Sequence, residues 1–178
     1  MMFVSAGHHK KDPGAVANGL KEADLTIKVR DEVVKILKQS GANVVTDRDD
    51  ETLAQYLQRI KPGNGSVVVE FHFDAASNAS ASGTSAFYAD NASENSKAFA
   101  RAMADVGATI MGIKNRGAHS ETESHRGRLA LVHEPGINCL VEVGFITNQQ
   151  DIQKFNQNFS TLCEAYASII LSNENLIK

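Results

Sequence analysis

Four residues of this 178-residue chain have side chains that bind metals or move protons, at positions where a fold can gather them: His8, Glu22, His72 and Glu142. Two imidazoles and a carboxylate are a common ligand set for catalytic zinc, with the fourth position left to water. A further carboxylate beside such a metal, not bound to it, takes a proton from water and hands it to a leaving nitrogen. Glu142 is the candidate for that base, because it interrupts the otherwise apolar run Cys139-Leu140-Val141-Glu142-Val143. An uncompensated carboxylate there costs several kcal/mol, so a cation or a proton-sharing partner is expected beside it.

Each of the four also has a plainer reading. A histidine near a strand end is often a hydrogen-bonded structural group. Glu22 suits the first turn of a helix, where a carboxylate complements the helix dipole. Glu142 alone could be paired with a core arginine or lysine. Separations of 14, 50 and 70 positions form no local signature of the H-E-x-x-H kind. What favours the chemical reading is where the elements put them.

Met2–Ser5 is a short apolar run, read as an edge or first buried strand, and His8–Asn18 is a polar loop. Leu25, Val29, Val33 and Ile36/Leu37 recur at helical period, and Gly41 stops that helix. Ala42–Thr46 reads as a strand, and Leu53, Leu57 and Ile60 as a short helix stopped by Pro62 and Gly63. Val67-Val68-Val69 opens a strand apolar on both faces, as in the middle of a parallel sheet, and polar groups collect at its end in Glu70–Asp74. After the loop Ala75–Ser82 come a strand at Thr84–Tyr88 and a helix through Phe99, Met103, Val106 and Ile110. Lys114–Arg128 reads as a long irregular loop, Leu129–Val132 and Cys139–Val143 as strands, and Phe155 to Ile170 as a final helix. The expected fold is α/β: one domain with a mainly parallel twisted sheet and helices on both faces. Ligands of such sheets bind beyond the carboxyl ends of the strands, where all four residues fall.

The remaining composition narrows the classes. Forty-two per cent hydrophobic and 22% charged residues are ordinary for a globular protein, and a net charge of −3 gives no reason to expect nucleic acid. No apolar run approaches the roughly 18 residues needed to span a membrane. Cys139 and Cys163 form no C-x-x-C pair and read as two buried thiols rather than a disulfide. The opening residues are too few and too soon polar for a signal peptide.

Four separated motifs carry a resemblance: Gly7-His8 with Asp12-Pro13-Gly14-Ala15; Gly19-Leu20-Lys21-Glu22-Ala23-Asp24-Leu25; Phe71-His72-Phe73-Asp74-Ala75; and Val141-Glu142-Val143-Gly144-Phe145-Ile146-Thr147-Asn148. In order and spacing the chain resembles the zinc-dependent N-acetylmuramoyl-L-alanine amidases, the α/β catalytic domains of cell-wall remodelling enzymes and phage endolysins. Ala42–Thr46 before Arg48, and Asn115-Arg116-Gly117, add to the likeness. The resemblance implies Zn2+ as cofactor, with His8, Glu22 and His72 as its ligands and Glu142 as general base and acid. It implies peptidoglycan as partner and substrate, cleaved between N-acetylmuramic acid and the L-alanine of the stem peptide. It also implies one catalytic domain over residues 1–178 with no separate wall-binding domain. With no visible signal peptide, a phage-type lysin made in the cytoplasm and acting on the wall is expected over a secreted enzyme trimmed of its signal. The rival readings are a zinc peptidase acting on stem peptides and a non-catalytic peptidoglycan-binding module.

The chain departs from the family pattern in three places. His9-Lys10 follow His8 where a glycine pair is usual, which makes His9 a competing ligand. Asp74 stands where asparagine is usual, adding negative charge near the metal. Glu70 stands where serine is commoner; it either orients a ligand or pairs with a lysine. Arg116, His119 and His133 are candidates for substrate contact, and His125 is read as an exposed loop residue. Lys10 and Lys11 are read as solvated, with stem-peptide carboxylates as the alternative.

Overall fold

The structure, a computed structural model, describes residues 1–124 and 126–175. Its strands are β1 (Met2–Ala6), β2 (Val16–Ala17), β3 (Leu20–Lys21), β4 (Val44–Thr46), β5 (Val67–Asp74), β6 (Thr84–Tyr88), β7 (Asn115–Ser120) and β8 (Ile137–Phe145). The helices are α1 (Glu22–Gln39), α2 (Leu53–Arg59), α3 (Glu94–Met111) and α4 (Gln149–Asn175). Six strands form one sheet in the order β4-β1-β5-β8-β6-β7, and β2 and β3 make a separate small hairpin. β4, β1, β5 and β8 run parallel to one another. β6 is antiparallel to β8, so β6 and β7 run against the other four.

Period-two alternation in the central strands divides the core. Met2, Val4, Val67, Val69, Phe71, Phe73, Cys139, Val141 and Val143 face the layer built by α1, α3 and α4. Phe3 and Val68 face the other way, where Tyr56 and Ile60 of the α2 region and Leu131 cover them. Helices therefore lie on both faces, three long ones on the first and one short one on the second. The second face stays open toward the carboxyl ends of β5 and β8, and Glu70, His72 and Glu142 stand on it. His72 and Glu142 are register partners across those two strands.

Of the two readings of Met2–Ser5 the buried strand holds: it lies between β4 and β5. Two expectations are corrected. The first half of the Lys114–Arg128 segment is not irregular; it is edge strand β7, paired with β6. Its residues are polar and half-exposed and include Gly117 at φ 89°, so it has no apolar alternation to betray it. Leu129–Val132 is not a strand but leads into a 3₁₀ turn at Ala130–His133. Four apolar residues satisfy either pattern, and here Leu131 and Val132 enter two different clusters, which a turn of helix allows. Both cysteines are buried free thiols, and His125 lies outside the described residues.

Candidate metal centre

The first donor is placed by a turn that the backbone can make only with little room to spare. β1 ends at Ala6, and Gly7 follows because a Cβ there would stand 2.2 Å from Cε1 of His72. His8 then takes a positive φ of 68°, which costs a non-glycine residue about 1–2 kcal/mol. The turn is closed by Asp12: its backbone pairs with His9, and its carboxylate Oδ2 lies 2.9 Å from His8 Nδ1. Lys10 anchors the loop on Asp49, whose neighbour Asp47 accepts from the Ala6 amide. Buried Arg30 reaches both aspartates, at 2.8 and 2.5 Å.

Glu22 is the first residue of α1 and is almost wholly buried. Its Oε2 accepts from the Ala15 amide and lies 3.2 Å from His8 Nε2. Its Oε1 accepts from the Phe73 amide and lies 2.9 Å from His72 Nδ1. Gly14 leaves the space for this, since a Cβ there would stand 2.5 Å from His8 and 2.7 Å from Glu22 Oε2. One ligand-type atom from each of His8, Glu22 and His72 thus lies within 4.8 Å of the other two. Ligands about 2.1 Å from a tetrahedral zinc sit roughly 3.4 Å apart. The donor set fits that ion, and the separations of Glu22 from His8 Nε2, 3.2 Å, and from His72 Nδ1, 2.9 Å, are close to that spacing.

The electrostatics follow from packing two imidazoles around one carboxylate. Burial works against ionised Glu22, but His72 and His8 outweigh it and hold the carboxyl well below its usual range. Burial likewise opposes protonation of the two histidines. Glu22 with Glu70 raises His72, and Glu22 with Asp12 raises His8.

Glu142 stands beside this cluster on the floor of a cleft of about 550 Å³, lined also by Asp74, Arg116, His119 and Arg126. Its Oε2 is buried and has no hydrogen-bond partner among the described residues, and its Oε1 is 3.6 Å from Arg126 Nη2. Burial pushes its carboxyl up to about 7, against the opposing pull of His72 and Arg126.

The structure brings His8, Glu22, His72 and Glu142 to one rim, with Asp74, Arg116 and His119 along the adjoining cleft. The Arg116 guanidinium lies 5.1 Å from the centre of the Phe145 ring, and His119 Nε2 contacts the Arg116 carbonyl. Asp74 accepts from the Ala75 amide. Glu70 faces His72 and not a lysine. His9 accepts from the Lys11 amide and is not among the clustered donors. His133 lies apart: it contacts Glu121 at 2.7 Å in a separate surface depression. Sequence reasoning missed Arg126, which reaches His72 Nδ1 at 3.0 Å and Glu22 at 3.8 Å. It sits in a polar turn without periodicity; the one available signal was that Glu142 needed a cation.

Comparison with known proteins gives the following. A family model described as N-acetylmuramoyl-L-alanine amidase matches residues 2–172. The chain is 32% identical over 157 residues to uncharacterized protein YqiI of Bacillus subtilis (strain 168), spanning 86% of this chain and 73% of that protein. It is 26% identical over 160 residues to N-acetylmuramoyl-L-alanine amidase LytC of the same strain, spanning 88% of this chain and 31% of LytC. Among solved structures, N-acetylmuramoyl-L-alanine amidase AmiC2 of Nostoc punctiforme matches with a TM-score of 0.79 and 25% identity, over 97% of this chain and 96% of that one.

Proposed function

The chain belongs to the N-acetylmuramoyl-L-alanine amidase family, and from that premise we propose that it is a zinc-dependent hydrolase of peptidoglycan. The bond cut is the amide between the lactyl group of N-acetylmuramic acid and the L-alanine of the stem peptide. The observation that carries this reading is the meeting of a His8–Glu22–His72 cluster with a buried carboxylate whose second oxygen has no hydrogen-bond partner among the described residues. His8, Glu22 and His72 would hold the ion. When bound, zinc supplies Lewis acidity that polarises a carbonyl and makes water nucleophilic near neutral pH.

Side chains do the rest. Ionised Glu142 takes a proton at Oε2 from the water whose oxygen bonds to the amide carbon. It returns that proton to the amide nitrogen as the C–N bond breaks, leaving a carboxyl on the sugar and an amine on L-alanine. A carboxyl near 7 suits a group that must both take and give a proton at neutral pH. Arg126 keeps a positive charge beside that carboxylate. Asp74, Arg116 and His119 offer charges of both signs along the cleft, where the stem peptide would lie. The place of action is then the cell wall.

Purified peptidoglycan incubated with zinc-loaded and with chelator-stripped protein tests the reading. New amino-terminal L-alanine in the zinc sample alone is expected. New glycan reducing ends, or new amines from other stem-peptide residues, would refute it.

A further inference from the structure

The amidase reading leaves the buried carboxylate beside the metal cluster, Glu70, without a task. Glu70 is 4% exposed, and it precedes His72 by two residues on β5, so the two side chains share a face. Its Oε2 lies 3.3 Å from Nε2 of His72, while Nδ1 of the same ring faces Glu22. Glu70 and His72 also line a second cavity of about 320 Å³, together with Ser5, Asp47, Glu51 and Tyr56. No described lysine or arginine lines that cavity; His8 and His9 do, and the side chain at ion-pair distance from Glu70 is that of His72.

An imidazole that ligates a metal through one nitrogen keeps that nitrogen bare, and its proton then resides on the other. A carboxylate at the protonated nitrogen fixes the tautomer and the ring orientation and makes the ring a stronger donor. His8 shows the same two-sided arrangement, with Nε2 toward Glu22 and Nδ1 against Asp12. The Asp12 side chain is 55% exposed and the Glu70 side chain 5%, so the Glu70 contact is the less screened by water and salt.

We propose that Glu70 is a positioning residue: it accepts the Nε2 proton of His72, keeps Nδ1 bare toward Glu22, and thereby sets the zinc affinity of the site. The inference rests on the reading of His8, Glu22 and His72 as the ligands. It assigns Glu70 to the metal's hold on the protein and not to the reaction itself.

Zinc dissociation constants from chelator competition test it, on the full chain and its Glu70→Ser and Glu70→Gln variants. Far-UV circular dichroism and metal-free unfolding midpoints establish that each variant is folded. Loss of the carboxylate is expected to weaken zinc about 10- to 100-fold in Glu70→Ser. Glu70→Gln, which keeps the shape and an acceptor but loses the charge, should fall between. The visible absorption of the cobalt(II)-loaded protein should shift in the same order. Folded variants that bind zinc within about twofold of the parent would overturn the proposal while leaving the ligand assignment standing. Should Glu70→Ser not fold, Glu70→Gln decides alone by the same criterion. A parent protein that binds no zinc would overturn both.

Discussion

Zinc binding to this centre is expected to strengthen with pH well past the ordinary titration of histidine. In the metal-free protein burial opposes protonation of His72, yet Glu22, Glu70 and Glu142 outweigh it and push the ring up to about 10. His8 is raised as well, by Glu22 and Asp12. Zinc accepts only the unprotonated ring, so each protonated ring must release a proton on binding. One released proton gives about a tenfold gain in affinity per pH unit, and two give about a hundredfold. Between pH 6.5 and 8 the affinity should therefore rise about 30-fold if His72 alone is protonated and about 1,000-fold if both rings are. Two histidines titrating at 6.5 would give only about a fourfold rise over that interval. Chelator competition across the range measures the slope, and calorimetry in two buffers of different ionisation heat counts the protons at pH 7.5. A rise of fourfold or less, with no proton released at pH 7.5, would refute the reasoning. The same protons govern the metal-free fold. The raised His72 imidazole contributes stability that is full below 6.5 and lost as pH climbs toward about 10, and His8, raised as well, contributes in the same direction. Glu22, held low, contributes stability that is present above 4.5 and lost as pH falls below that value. The Tm gap between zinc-loaded and metal-free protein should accordingly widen from pH 6 to 8.

Further expectations follow from single contacts. If Glu142 must be ionised to act, kcat/KM should rise with pH through about 7. Arg126→Ala, by removing a cation that favours the ionised form, should move that limb to higher pH; a limb that stays in place would exclude the role. Gly7→Ala would put a Cβ 2.2 Å from the His72 ring, so a loss of about 1–3 kcal/mol is expected, together with weakened zinc binding. Thermal unfolding and metal titration read the two effects separately. Arg30→Met strands buried Asp47 and should cost about 3–5 kcal/mol in urea unfolding; a cost below about 1 kcal/mol would contradict the network described for the His8 loop.

The architecture is legible in the sequence wherever burial is continuous. Val67–Val69 and Cys139–Val141 are apolar because both faces of a central strand are covered there, and α1, α3 and α4 reveal themselves by one apolar stripe each. β7 is hidden because its edge position asks nothing apolar of Asn115–Ser120. The antiparallel sense of β6 is hidden too, since a residue pattern of period two does not encode strand direction. The convergence of His8, Glu22, His72 and Glu142 is readable because each sits where a strand ends or a helix begins, on the rim such sheets use. The positive φ of His8 and the reach of Arg126 are not readable, because both are set by what the chain packs against rather than by neighbours in sequence. Glu70 lies between these cases. Its alternation with His72 is in the sequence, but that no described lysine lines its cavity is a property of the fold.

The division of labour between the metal cluster and Glu142 is tested most directly by one paired measurement on Glu142→Gln. Zinc content per chain and release of amino-terminal L-alanine from purified peptidoglycan are determined on the same preparation. One zinc per chain, as in the parent, is expected, with the rate of L-alanine release reduced about 100-fold or more. A variant that keeps its zinc and releases L-alanine at the parent rate would contradict that division of labour.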